Sequence, residues 1–215
     1  EAGKSNVKNN DKMNKEGGPS EIVVVADNTN NPKWVAADLI AQAEHDSKAQ
    51  CILITDNEKF SNEVICNIKQ LSSKLPKKSI IHSSLKKYGL IIITKVIEES
   101  YKIINFISPE HLHLQNKLKN LIYKKVVNAG AIFIGKYSTE AFGDYIVGTN
   151  HILPTSGSAK YASGIGVIDF MKRTSLVRIN SLGFKKNQEN VSKMAKVEKL
   201  EGHQLSVKIR QIDKK

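Results

Sequence analysis

Apolar, β-branched runs at residues 22–26, 51–55, 89–94 and 130–134 alternate with stretches of helical period, and few folds accept that alternation. Each run is too short for a typical helix and nearly free of polar residues, as a strand covered on both faces must be. A further short strand candidate lies at 112–115. Pro32 opens a helix over 33–45, with Trp34, Ala37, Leu39 and Ile40 as apolar positions; proline is well accommodated in a first helical turn. Asn57 can cap a helix running to about Leu71, with Phe60, Val64 and Ile68 at helical spacing, and Pro76 closes that region. Residues 96–106 and 118–128 complete the helical set. Strands separated by such helices predict an α/β fold: a Rossmann-like, mostly parallel sheet with helices on both faces.

Three segments follow from this pattern. Residues 1–17 are rich in Lys, Asn and Gly, lack an apolar period, and read as a divergent or disordered arm. Residues 18–170 hold the α/β domain, and 171–215 form a helical tail that includes a helix near 187–200. Within the α/β domain, residues 135–166 read as a long, glycine-punctuated connection of the kind that is usually functional. No G-x-G-x-x-G follows a strand and no P-loop is present. Ligands of such sheets are expected beyond the carboxyl ends of the strands. The chain starts at Glu1 rather than Met, so a processed or incomplete product is expected.

Composition excludes several classes. In 215 residues, 40% are hydrophobic and 25% charged, an ordinary globular balance. No apolar run approaches the roughly 20 residues of a membrane-spanning helix, and the amino terminus is not a secretory signal, so no membrane partner is expected. The net charge is +12, from 33 Lys and Arg against 21 Asp and Glu. The basic residues are mostly Lys, dispersed, and without interleaved aromatic rings, so nucleic acid is not expected as a partner. Cys51 and Cys66 form no C-x-x-C pair and read as thiols of a reducing, cytoplasmic compartment.

Four places concentrate chemistry. Gln42 and His45 sit three apart, on one helix face, and could share an ion or ligand; the bland alternative is a solvated helix end. Glu110 and His111 follow the third helix and could serve as base and proton relay, although a Glu-His pair alone also fits a surface turn. Asp144 and His151 lie in the glycine-rich connection, where Asp144 could bind a metal or simply close a turn. Glu198 and His203 stand five apart near the carboxyl terminus, a spacing that says little by itself. Gln42, His45, Asp144 and His203 together form a donor set suited to a zinc-class ion, but they are too far apart in sequence for spacing to show that they converge. His82 and His113 have no such company and read as ordinary surface or strand residues.

Taken in order, GPSE at 18–21, AQAEHD at 41–46, PEHL at 109–112, GDY at 143–145, GTNHILPT at 148–155, DFMKRTS at 169–175 and Glu198 with His203 in E-x-L-x-x-H make a specific series. The series resembles histidinol dehydrogenase from about residue 18 to the end. That family oxidises L-histidinol through L-histidinaldehyde to L-histidine with two NAD+. The resemblance implies Gln42, His45, Asp144 and His203 as zinc ligands, the last supplied by the partner of a homodimer with shared active sites. Glu110 and His111 match the acid–base pair. Ser20, Gln42, His45, His111, Asp144, Glu198 and His203 match substrate-binding positions. Zinc and NAD are thus the implied cofactors. Members are about twice this length, and the dinucleotide-contacting residues fall in the other half, so no NAD site is placed on this chain and the isolated chain is expected to be inactive. Two other readings stay open at this point: a non-catalytic zinc-binding remnant, motivated by residues 1–17, and a basic nucleic-acid-binding module, motivated only by the charge.

Overall fold

A computed structural model describes residues 18–212, so the arm expected at 1–17 lies outside the described residues. Two compact units appear, divided between Phe170 and Met171. The first unit carries five parallel strands: β1 (Glu21–Val25), β2 (Gln50–Thr55), β3 (Gly89–Ile93), β4 (His111–Leu114) and β5 (Ala131–Ile134). Their order is β3-β2-β1-β4-β5, which places β1 at the centre and reverses the winding between β1 and β4. The register pairs Ile22 with Cys51 on one side and with His111 on the other.

Helices α1 (Pro32–Ala43), α2 (Glu58–Ser72) and α3 (Lys78–Tyr88) cover one face, and α4 (Ser100–Ile107) and α5 (Lys119–Tyr123) the other. Strand alternation divides the core accordingly. Ile22, Val24 and Ala26 pack with Val35, Leu39, Phe60, Val64 and Ile81, whereas Val23 and Val25 pack with Ile104, Leu112, Leu114 and Ile122. Each such side chain contributes about 1.5–3 kcal/mol when fully removed from water. Pro32 stands in the first turn of α1 and Asn57 caps α2, as expected, accepting from the Phe60 N–H at 2.8 Å; Asn31, which the sequence reading did not name, caps α1 by accepting from the Lys33 N–H.

Several boundaries differ from the sequence reading. The first helix ends at Ala43, so His45 lies just beyond it. Residues 78–88 form α3, which the sequence reading passes over because Lys and Ser dilute its apolar stripe. The helix expected at 96–106 begins as a 3₁₀ turn at Ile97–Glu99, and that expected at 118–128 shortens to α5. The connection at 135–166 is not wholly irregular: it contains a short helix, α6 (Glu140–Tyr145).

In the second unit, α7 (Ser181–Val197) and α8 (Glu201–Ile212) form a helical hairpin. Lys199 adopts a left-handed conformation in the turn, and the Leu200 N–H donates to the Ala195 carbonyl. The helix expected near 187–200 thus runs over Ser181–Val197, and a second follows it in the helical tail. No helix among the described residues is long and apolar enough to cross a membrane.

Gly130 ties the start of β5 to the segment that leads into β4. Its N–H donates to the Pro109 carbonyl, and a Cβ there would stand 2.6 Å from the Glu110 carbonyl oxygen. Gly130→Ala should therefore destabilise the chain by about 1–3 kcal/mol, as overpacking against backbone does. Urea denaturation checks this, and an unchanged midpoint would contradict it.

Candidate active site

Alternation along β4 sends Leu112 and Leu114 into the apolar core on one face and leaves His111 and His113 on the face covered by α1. Both imidazoles are buried. His113 Nε2 lies 2.9 Å from the Gly135 carbonyl, and its Nδ1 lies 3.4 Å from an Asp38 oxygen. Gln115 bridges the same pair by donating to Asp38 at 2.6 Å. The histidine read from sequence as an ordinary strand residue is thus the centre of a buried polar network that anchors α1 to β4 and β5.

The main chain of Glu21 holds Glu110 and His111 together. The strand ladder between β1 and β4 begins at Ile22 and His111, so the Glu21 N–H has no main-chain partner on β4 and is left for a side chain. The Glu21 N–H donates to Glu110 Oε2 at 3.0 Å, and the Glu21 carbonyl lies 3.1 Å from His111 Nδ1. A carbonyl can only accept, so this contact assigns the proton of neutral His111 to Nδ1 and leaves Nε2 as a free base. The Glu21 carboxylate in turn accepts from the Ser156 N–H at 2.9 Å, and the Gly18 N–H donates to the Thr155 hydroxyl at 3.0 Å. The GPSE segment and the end of GTNHILPT therefore meet.

Helix α6 brings a second set of groups. Gly143 permits its close approach, because a Cβ there would fall 2.6 Å from the Phe133 ring. Glu140 and Asp144, four residues apart, face the same way. Donor atoms of His45, Glu140 and Asp144 lie within 4.8 Å of one another. Asp144 is also 3.0 Å from His151 Nδ1. Gln42 is fully buried, and its partners fix its amide orientation: with the nitrogen toward Glu140 it donates at 2.7 and 2.8 Å to the two carboxylate oxygens, whereas the reverse sets oxygen against acceptors. Glu140 Oε1 lies 3.6 Å from His111 Nδ1, so one carboxylate adjoins both sets.

Electrostatics follow from this crowding in a dry place. Burial pushes the Glu110 carboxyl up to about 7, opposed by the hydrogen bond from Glu21. Burial also pushes Glu140 up to about 8, aided by the Asp144, Glu110 and Asp38 carboxylates. His111 moves the other way: burial holds it below the ordinary imidazole value, so it is neutral at pH 7.

The structure brings together Gln42, His45, Glu110, His111 and Asp144 from the expected set. Ser20 precedes β1, where its carbonyl accepts from the Gln50 N–H. Glu198 caps the carboxyl end of α7 and His203 lies in the first turn of α8, both on the second unit. The group forms at the starts of β1 and β4 and the carboxyl end of α1, not beyond the carboxyl ends of the strands as expected. The reason is that α1 runs back antiparallel to the strands and delivers Gln42 and His45 to their amino ends. Sequence reasoning missed Glu140, Glu21 and the Asp38–His113–Gln115 network. The four-residue spacing of Glu140 and Asp144 was the available signal.

The sequence model of the histidinol dehydrogenase family matches residues 1–211. Histidinol dehydrogenase of Aquifex aeolicus is 43% identical over 196 residues, which are 91% of this chain and 46% of the relative. Histidinol dehydrogenase 1 of Nostoc sp. is 44% identical over 193 residues, 90% of this chain and 45% of the relative. A crystal structure of histidinol dehydrogenase from Elizabethkingia anophelis matches with a TM-score of 0.84 at 36% identity, covering 90% of this chain and 45% of that one. The chain thus spans a little under half the length of these relatives. With a match across nearly all of its residues, in sequence and in fold, the chain belongs to the histidinol dehydrogenase family.

Proposed function

We propose that this chain supplies the acid–base and metal-binding residues for the oxidation of L-histidinol, through L-histidinaldehyde, to L-histidine, with NAD+ as hydride acceptor in both steps. The observation that carries this reading is the meeting of a buried Glu110–His111 pair with the His45, Glu140 and Asp144 donors on one face of the sheet. Nitrogen and oxygen donors of this kind fit a zinc-class ion, which Gln42, His45 and Asp144 would hold together with His203. Zinc bound there would orient the amine and imidazole of the substrate rather than change oxidation state.

The residues then divide the proton work. The alcohol carbon loses hydride to the nicotinamide while its hydroxyl proton passes to His111 Nε2, the nitrogen left free by the Glu21 carbonyl. Water must then add to the aldehyde, and Glu110 takes the proton that this water loses. Its carboxyl, raised to about 7, is partly ionised at neutral pH and so poised as a base. The hydrated aldehyde gives a second hydride to a second NAD+, and the carboxylic acid so formed releases its proton to solvent to become the carboxylate.

The partner is a second copy of the chain. The second unit buries Ala195 and Val207 but leaves Met194, Leu205 and Ile209 exposed. Those apolar side chains favour a homodimer in which His203 completes the site of the other copy.

Three outcomes test the reading. In a protein of the family's full length containing this chain, His111→Asn should lower kcat for histidinol by about 10²–10⁴-fold, while Glu110→Gln should spare the first oxidation and block the second. NADH formation from L-histidinol and from L-histidinaldehyde separates the two, and equal losses on both substrates would refute the division of roles. His203→Ala should reduce zinc retention about as much as His45→Ala; full zinc content in the His203 variant would remove it from the site. The third outcome concerns pH. Glu110 holds its proton more tightly folded, at about 7, than at its ordinary value of 4.5. Its contribution to stability is complete below the lower value and lost as pH rises through the upper one. Glu110→Gln, which keeps the hydrogen bond from Glu21, should flatten the decline in melting temperature over that window, and parallel curves for the two proteins would contradict it.

A further inference from the structure

A buried glutamine amide is an ambiguous ligand. Its oxygen can face a cation, but its nitrogen cannot, because the nitrogen lone pair is delocalised and its hydrogens carry positive charge. The two ends are nearly equal in size, so packing alone does not choose between them. Something polar must. Gln42 stands on α1 among Val35, Ala36, Leu39, Ile40 and Ala43, none of which can distinguish the ends.

Glu140 can. It lies on a different element, α6, and its two oxygens lie 2.7 and 2.8 Å from the Gln42 amide nitrogen. That grip turns the amide oxygen away from Glu140. It is the ionised carboxylate that discriminates, because both of its oxygens can only accept, whereas a carboxyl carrying its proton could also donate to the amide oxygen. Glu140 is itself buried, with Oε1 3.6 Å from His111 Nδ1, whereas His45 is exposed at the mouth of the same cluster. The carboxylate is therefore enclosed between Gln42 and the acid–base histidine.

We propose that Glu140 is a positioning residue: by holding the Gln42 nitrogen it presents the Gln42 oxygen to the metal. The assignment rests on the reading of Gln42, His45 and Asp144 as metal-holding residues. It is distinct from a role for Glu140 as a ligand, which its place within 4.8 Å of His45 and Asp144 would also allow. Partners that orient a ligand typically alter metal affinity by about 10–100-fold when removed.

Zn2+ binding to the whole chain, measured by competition with a chromogenic chelator, separates the possibilities. Glu140→Ala should weaken zinc by about 10–100-fold. Glu140→Gln keeps an acceptor oxygen in the same place and should recover most of that loss. The double variant Gln42→Ala/Glu140→Ala should bind zinc no more weakly than Gln42→Ala alone, because Glu140 then has nothing to orient. Additive losses in the double variant, or equal losses in Glu140→Gln and Glu140→Ala, would overturn positioning in favour of direct ligation. Unchanged affinity in Glu140→Ala would overturn any role. His45→Ala serves as the reference: if it too leaves zinc binding unchanged, the metal reading itself fails, whereas a loss there without a loss at Glu140 rejects only the positioning role. Thermal unfolding of each variant without zinc identifies a loss that comes from folding, and Glu140→Gln keeps the test decisive if Glu140→Ala does not fold.

Discussion

The pairing of β1 with β4 is the constraint on which the site depends. A parallel ladder leaves main-chain groups unpaired where it begins, and buried groups of that kind must find partners. Here the β1–β4 ladder starts at Ile22 and His111: the Glu21 N–H, left without a ladder partner, goes to the Glu110 carboxylate, and the Glu21 carbonyl at the edge of the ladder also meets the His111 ring. The carbonyl fixes a tautomer and the N–H fixes a carboxylate. Neither contact uses the Glu21 side chain, so the geometry depends on strand register more than on residue identity at that position. The side chain performs a separate task, joining the Ser156 loop to the start of the same strand.

The two faces of the sheet meet different demands. Behind β4, Leu112 and Leu114 join an apolar core that needs only shape and volume. In front, His111, His113, Gln42, Glu110 and Glu140 are all buried, and every one requires a partner or would forfeit about 1–3 kcal/mol. The partners come from four elements: β1, α1, α6 and the end of β5. The polar face is thus more exacting about sequence than the apolar one. A change on α1 at Asp38 is felt at His113, and one on α6 at Glu140 is felt at Gln42.

Much of this was legible before any coordinates. The β-branched runs, Pro32 and the Asn57 cap defined the strands and the first two helices, because period and capping are local properties. Helix α3 was not legible: its buried positions, Ile81 and Ser84, are few, and Ser84 earns its place through a hydrogen bond to the distant Ala49 carbonyl. The spacing of Gln42 and His45 placed both at the carboxyl end of α1, where each comes near Glu140. Glu140 escaped because its segment was read as a connection, so the four-residue spacing to Asp144 had no helix to act on. His113 escaped because its partners, Asp38 and the Gly135 carbonyl, are remote in sequence. Glu198 and His203 depended on the family resemblance throughout.

The two groups of site residues differ in how firmly they are tethered. Glu110 and His111 flank the start of a strand whose neighbour is the centre of the sheet. Asp144 and Glu140 stand on a six-residue helix beyond the last strand, followed by a largely exposed segment. Amide hydrogens on β4 can exchange with solvent only when the sheet comes apart, whereas those around α6 can exchange by a local opening that leaves the sheet intact. Glu110 and His111 are therefore tethered as firmly as the sheet itself, whereas Glu140 and Asp144 depend on a short helix beyond its edge strand.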